Sequence, residues 1–88
     1  MKLTDYCDVI NCEVYVKYYH NQNSRWCAEF NGAEIKEVGC LTGSWENGKT
    51  PNEAIENYIK SIRGKTIIFN AYDKERRREF VVPMSLEF

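Results

Sequence analysis

Long apolar runs are missing from this chain of 88 residues, and no stretch approaches the ~20 apolar residues that a membrane-spanning helix requires. Histidine occurs once, at His20, inside a polar stretch where an imidazole is usually just solvated. The sequence has no glycine-rich phosphate loop and no nucleophile elbow, and no Ser or Cys has a recognisable neighbouring base. We therefore expect a protein that is not an enzyme and that uses no cofactor.

Neither sign of charge dominates, because the formal net charge is −1. No global field then attracts the molecule to nucleic acid or to a membrane surface. The four cysteines contain no C-x-x-C pair and match no standard zinc spacing, so we expect no metal site. The N-terminal stretch carries acids where a signal peptide has an apolar run. These features predict a cytoplasmic protein with free thiols.

The stretch 48–64 carries the strongest local signal in the chain, an amphipathic helix with both ends encoded. Thr50 is the expected N-cap, Pro51 suits the first helical position, and Glu53 completes a capping box. Gly64 is the expected residue after the helix, where a left-handed backbone costs least. One face carries the apolar residues at helical spacing, namely Ala54, Ile55, Tyr58, Ile59 and Ile62. A sheet must cover this stripe.

Alternation of apolar and polar residues predicts strands at 13–19, 25–30, from Ala33 onward, 65–72 and 79–82. Asn31-Gly32 is a strong hairpin signal between the second and third of these strands. We expect a β-bulge near Lys36, a polar turn at 20–24 and a flexible connection at 43–48. Segment 1–11 is left unassigned, because a helix and a short strand fit it equally.

These elements run in the order βββαββ within one domain spanning 1–88. The predicted fold class is α+β, a two-layer sandwich in which one helix packs on one face of an antiparallel sheet. A sheet of this order leaves an edge strand unpaired, which favours a homodimer.

The chain has six tyrosines and two tryptophans, which are more aromatic side chains than one small core can bury. Exposed aromatics near arginine are typical of protein interfaces, although cover for a second sheet face fits them equally well. The expected contact residues are Tyr15, Tyr19, Trp45 and Tyr72, with Arg76, Arg77 and Arg78 as their charge partners.

The basic run 74–78 near the last hairpin supports an alternative function, binding of RNA or DNA. Asp73, Glu75 and Glu79 interrupt that run, and a charged hairpin tip usually serves solubility. Protein binding is therefore the leading hypothesis.

The central block R-W-C-A-E-F, G-C-L-T-G and G-K-T-P-N-E-A-I-E-N-Y resembles the HicB-type antitoxin fold over residues 25–63. The matching positions are Trp26, Ala28, Gly39, Cys40, Gly48, Thr50, Glu53, Ala54 and Asn57. The DNA-binding tail of many members is absent, and a hairpin stands in its place. The resemblance implies a βββα core, self-association and neutralisation of a small toxin by protein contact. A phage or mobile-element protein that blocks a host factor fits equally well.

Overall fold

A computed structural model of the chain describes residues 1–20, 23 and 25–88. The elements are α1 (Leu3–Ile10), β1 (Val14–Tyr18), β2 (Trp26–Phe30), β3 (Ala33–Glu37), β4 (Cys40–Gly43), β5 (Glu46–Gly48), α2 (Pro51–Ile62), β6 (Thr66–Phe69) and β7 (Arg78–Val81). The α+β class is confirmed, while the order is αβββββαββ rather than βββαββ. Of the turn predicted at 20–24, Asn21, Gln22 and Ser24 lie outside the described residues.

The strands form two antiparallel sheets. The first sheet has the order β1-β2-β5, and the second has the order β4-β3-β6-β7. The hairpin expected at Asn31-Gly32 is therefore wrong, because β2 and β3 belong to different sheets. Gly32 has a φ of +76°, while Asn31 keeps a negative φ, and a type I′ turn needs positive values at both positions. This corner instead carries the chain from the first sheet into the second.

The expected bulge near Lys36 is also wrong, because β3 pairs with β4 in unbroken register from Glu34 opposite Gly43 to Glu37 opposite Cys40. The tight turn that joins them places Gly39 at a φ of +80°. The connection expected to be flexible contains β5, which completes the first sheet. The actual β3 is thus a short strand inside a regular hairpin.

The central helix α2 begins and ends where its sequence predicts. The Thr50 Oγ1 accepts a hydrogen bond from the Glu53 backbone N–H at 3.0 Å. The Glu53 carboxylate accepts from the Lys49 backbone N–H at 3.2 Å, one residue before the position expected for a capping box. Gly64 follows the helix with a φ of +74°. Both predicted ends of the helix are therefore confirmed.

The apolar stripe of α2 lies on one face of the first sheet and meets the second sheet across a shared core. The first sheet contributes the buried residues Ala28 and Phe30 of β2 to this core, and the second sheet contributes Ile67 of β6. The previously unassigned segment forms α1, which closes the core with Leu3, Tyr6 and Ile10. Neither helix described has the length and hydropathy needed to cross a bilayer.

Candidate protein-binding face

The side of the first sheet opposite α2 carries an aromatic surface. Side chains alternate across a strand, so the residues of β2 that pack on α2 leave their neighbours pointing outward. We call this surface the aromatic face, and it consists of Tyr15, Lys17, Tyr19, Cys27, Glu29, Trp45 and Asn47. It brings together three of the predicted contact residues: Tyr15, Tyr19 and Trp45.

A shallow concavity of about 390 Å³ lies within the aromatic face. Tyr19 and Trp45 line it together with an ion pair in which the Lys17 Nζ and the Glu29 Oε1 are 3.4 Å apart. Cys27 is buried beneath it, and this burial, followed by the nearby Glu29 carboxylate, raises the pKa of its thiol. The concavity is therefore lined by two aromatic side chains, the neutral thiol of Cys27 and the ion pair between Lys17 and Glu29.

The three aromatic side chains of this face are well exposed, with Trp45 at 55%, Tyr19 at 42% and Tyr15 at 39%. The Trp45 ring lies against Gly43, where a Cβ would collide with the ring carbons. Gly43 therefore makes room for the indole, and the ring keeps its other surface open to a ligand.

The other predicted contact residues lie in or next to the β6–β7 connection of the second sheet. Tyr72 is 90% exposed there and does not belong to the aromatic face. The Arg76 guanidinium is 3.7 Å from the Asp73 carboxylate. The Arg77 guanidinium is 3.3 Å from the Glu79 carboxylate and also donates to the Ala71 carbonyl at 2.9 Å. These arginines thus have neighbours of opposite charge within the same chain.

Arg78 has a structural position at the end of α1. Its Nη1 donates to the Ile10 carbonyl at 2.7 Å, and its Nη2 donates to the Asn11 carbonyl at 3.4 Å. The guanidinium carbon also lies 5.2 Å from the Phe69 ring centroid and 5.4 Å from that of Phe80. A cation beside the last carbonyls of a helix complements its dipole and satisfies acceptors that the helix leaves unpaired.

Reactive groups elsewhere offer little chemistry. Cys7 and Cys12 line a separate cavity of about 450 Å³ beside α1. Burial, followed by the neighbouring Cys7, raises the pKa of the Cys12 thiol to about 11, so this thiol is neutral near pH 7. His20 is exposed. Within residues 1–20, 23 and 25–88, no group of three His, Cys, Asp or Glu side chains is arranged to hold a metal ion.

Sequence reasoning placed Tyr15, Lys17 and Tyr19 on one side of β1 but did not select Lys17 or Glu29 as site residues. Their opposite charges on strands predicted to pair were the available signal. It also missed that Trp45 and Asn47 join this face, because β5 is too short to stand out. The comparisons with protein-family models, curated proteins and solved structures give no significant match. The HicB resemblance therefore stays a prediction.

Proposed function

We propose that this chain is a non-enzymatic module that binds another protein through the aromatic face and thereby occludes it. The observation that supports the proposal is the exposure of Tyr19 and Trp45 around one concavity, with Tyr15 exposed beside it opposite Glu29, on the side of the first sheet that α2 leaves open. Tyrosine and tryptophan are the residues most enriched among binding hot spots, since each offers a large, rigid contact surface with a polar tip.

The chemistry of the concavity indicates what kind of partner fits it. Lys17 and Glu29 compensate each other, so the floor offers no net charge to a strongly charged ligand. An aliphatic or arginine side chain that enters between Tyr19 and Trp45 would gain aromatic contact, and arginine would add cation–π attraction. The partner we propose is a folded protein that presents such a protruding side chain.

The resemblance stated above makes a small toxin the first partner to test, and a host factor the second. A gene for a small toxin next to the gene for this chain would support the first. We also propose a cytoplasmic setting, which suits the four free cysteines because that compartment keeps thiols reduced.

The test is a binding assay with tagged chain and the candidate toxin or host factor, using Trp45→Ala and Tyr19→Ala. Loss of one hot-spot aromatic costs about 2 kcal/mol or more, so we expect roughly 30-fold weaker binding from either variant. Tyr72→Ala is the matched control, because Tyr72 is exposed in the connection between β6 and β7, away from the aromatic face. Unchanged affinity in the first two variants, with both folded by circular dichroism, would refute the proposal.

Nucleic-acid binding by the 74–78 hairpin is the alternative, and it has weaker support. Arg76 and Arg77 each lie near a carboxylate, and Arg78 is held by the carbonyls of α1. Our proposal predicts no mobility shift of generic RNA or DNA at low salt. A shift that disappears in the Arg76→Ala/Arg77→Ala double variant and weakens with added salt would favour the alternative.

A further inference from the structure

Among the strands of the described residues, β1 has the longest open edge. β1 has five residues, whereas the other edge strands β5, β4 and β7 have three, four and four. β1 contains no proline, and its register with β2 is unbroken, without a bulge. Natural proteins usually protect an open edge with a proline, a bulge, a very short strand or a charged side chain, because such an edge pairs readily with another strand. Of these devices β1 has only the charge of Lys17, which lies 3.4 Å from the Glu29 carboxylate of the same chain.

The backbone of β1 shows which groups face this edge. The Tyr19 N–H donates to the Arg25 carbonyl at 2.6 Å, and the Asn31 N–H donates to the Glu13 carbonyl at 2.9 Å. Hydrogen-bonded pairs alternate along an antiparallel ladder, so Tyr15 and Lys17 also direct their backbone groups toward β2. The backbone N–H and C=O groups of the intervening residues, Val14, Val16 and Tyr18, therefore face outward. Within the described part of the chain no strand pairs with them.

An apolar groove of about 490 Å³ runs beside this edge on the side of the sheet that carries α2. Val14, Val16, Ile55, Leu3 and Phe88 contribute to its walls. A strand added to β1 would place its own inward side chains over this groove, since side chains on paired strands share a face. The edge of β1 thus offers unpaired backbone donors and acceptors, and an apolar groove for side chains, to one added strand.

We infer that the occupant of this edge is β1 of a second copy of the chain, paired antiparallel about Val16. In this register Val16 lies opposite the partner's Val16, and Val14 lies opposite the partner's Tyr18, so all the outward backbone groups of β1 find partners. On the other face Lys17 lies opposite the partner's Tyr15, which allows a contact between a cation and an aromatic ring, and its two diagonal neighbours are the partner's Glu13 and the partner's Lys17.

Two neighbouring registers are less favourable than this one. A pairing about Tyr15 would place Tyr18 opposite the partner's Cys12, which lies outside β1, so the strands would overlap over fewer residues. A pairing about Lys17 would put two lysines directly opposite each other, which is destabilising. The pairing about Val16 produces one six-stranded sheet, with the aromatic faces of both copies on the same side. This inference stands independently of the proposed function, because it concerns self-association alone.

The test measures the molar mass of the full chain by size-exclusion chromatography with light scattering at about 100 µM, where a micromolar dimer is nearly complete. We expect twice the 10.4 kDa of one chain. In Val16→Pro the ring removes an outward N–H that β2 does not use, and edge strands tolerate proline there. Losing the two symmetry-related hydrogen bonds should weaken the dimer roughly 30-fold.

Val81→Pro is the matched control, because Val81 is exposed on the edge strand β7 and its N–H also faces outward. This variant should remain a dimer. A second pair of variants does not depend on proline: Tyr15→Lys sets like charges opposite each other and should give a monomer, and adding Lys17→Glu should restore the dimer. A monomeric parent chain, a dimer insensitive to Val16→Pro and Tyr15→Lys, or a dimer lost in Val81→Pro would overturn the inference.

Discussion

Removal of one hydroxyl group, in Tyr58→Phe, tests how α2 is attached to the strands beneath it. The Tyr58 Oη accepts a hydrogen bond from the Phe30 backbone N–H at 3.1 Å and forms a second one with the Ser44 hydroxyl. Tyr58 and Ser44 are both buried, and burial is the main reason that the pKa of the Tyr58 phenol is raised, so the phenol is neutral. The substitution leaves a buried N–H and a buried hydroxyl without partners.

Each unpaired buried group costs about 1–3 kcal/mol, so the two groups left by Tyr58→Phe should together cost about 2–6 kcal/mol of stability. That is a large part of the ~5–15 kcal/mol that stabilises a typical domain. Urea denaturation followed by circular dichroism measures the loss. Ser44→Ala should cost less, about 1 kcal/mol, because the Phe30 N–H can still donate its hydrogen bond to the Tyr58 hydroxyl.

The double variant should cost less than the sum of the two single ones, since no serine hydroxyl is then left unpaired. Tyr15→Phe serves as the control, because its hydroxyl lies at the surface, and should change stability by less than about 0.5 kcal/mol. A Tyr58→Phe protein as stable as the parent would refute this account of the buried hydroxyl.

Three further predictions concern other parts of the molecule. Arg78→Lys should lower the free energy of unfolding by about 1 kcal/mol, because a lysine cannot hydrogen-bond both carbonyls at the end of α1 and also contact the Phe69 and Phe80 rings. An unchanged midpoint of urea denaturation would contradict the capping role of Arg78. Gly43→Ala should displace the Trp45 ring and red-shift tryptophan emission, and an unaltered spectrum would exclude the ring contact. With a pKa of about 11, the Cys12 thiol stays protonated at pH 8, so iodoacetamide should modify the exposed Cys40 first in peptide mapping; faster labelling of Cys12 would count against its burial.

The same Cys12 thiol predicts a direction for stability against pH. Its folded-state pKa lies above that of an unfolded thiol, so the unfolded chain releases its proton first as pH rises. Stability should therefore fall between about pH 9 and pH 11, and Cys12→Ser should reduce this slope. An equal slope in the variant, measured by urea denaturation across that range, would contradict the assignment.

The helix α2 could be predicted from the sequence because its signals are local. Thr50, Glu53 and Gly64 act within one turn of the helix ends, and the apolar stripe follows its own period. The separation of β2 and β3 into different sheets could not be predicted in this way, because it depends on which distant strands pair with each of them. Asn31-Gly32 permits a hairpin, but β3 pairs with β6, with Ile35 opposite Ile67, and with β4 on its other edge. No edge of β3 is left for β2.

The residues of the aromatic face were likewise only partly predictable from the sequence. Alternation along β1 suffices to place Tyr15 and Tyr19 on one side of a strand. Trp45 joins them only because β5, a strand of three residues, docks beside β2. Arg78 looked like a free surface charge while α1 was unassigned, since its partners are carbonyls at the end of that helix.

The most direct test of the central claim places a photo-crosslinking phenylalanine analogue at Tyr19, on the aromatic face, in cells that carry the gene. Val81, exposed on the second sheet, receives the same analogue as the control. We predict that irradiation links the Tyr19 position to one protein other than a second copy of this chain, identified by mass spectrometry, and that Trp45→Ala abolishes this adduct. Equal adducts from both positions, or none from Tyr19, would contradict the claim that this face binds a partner.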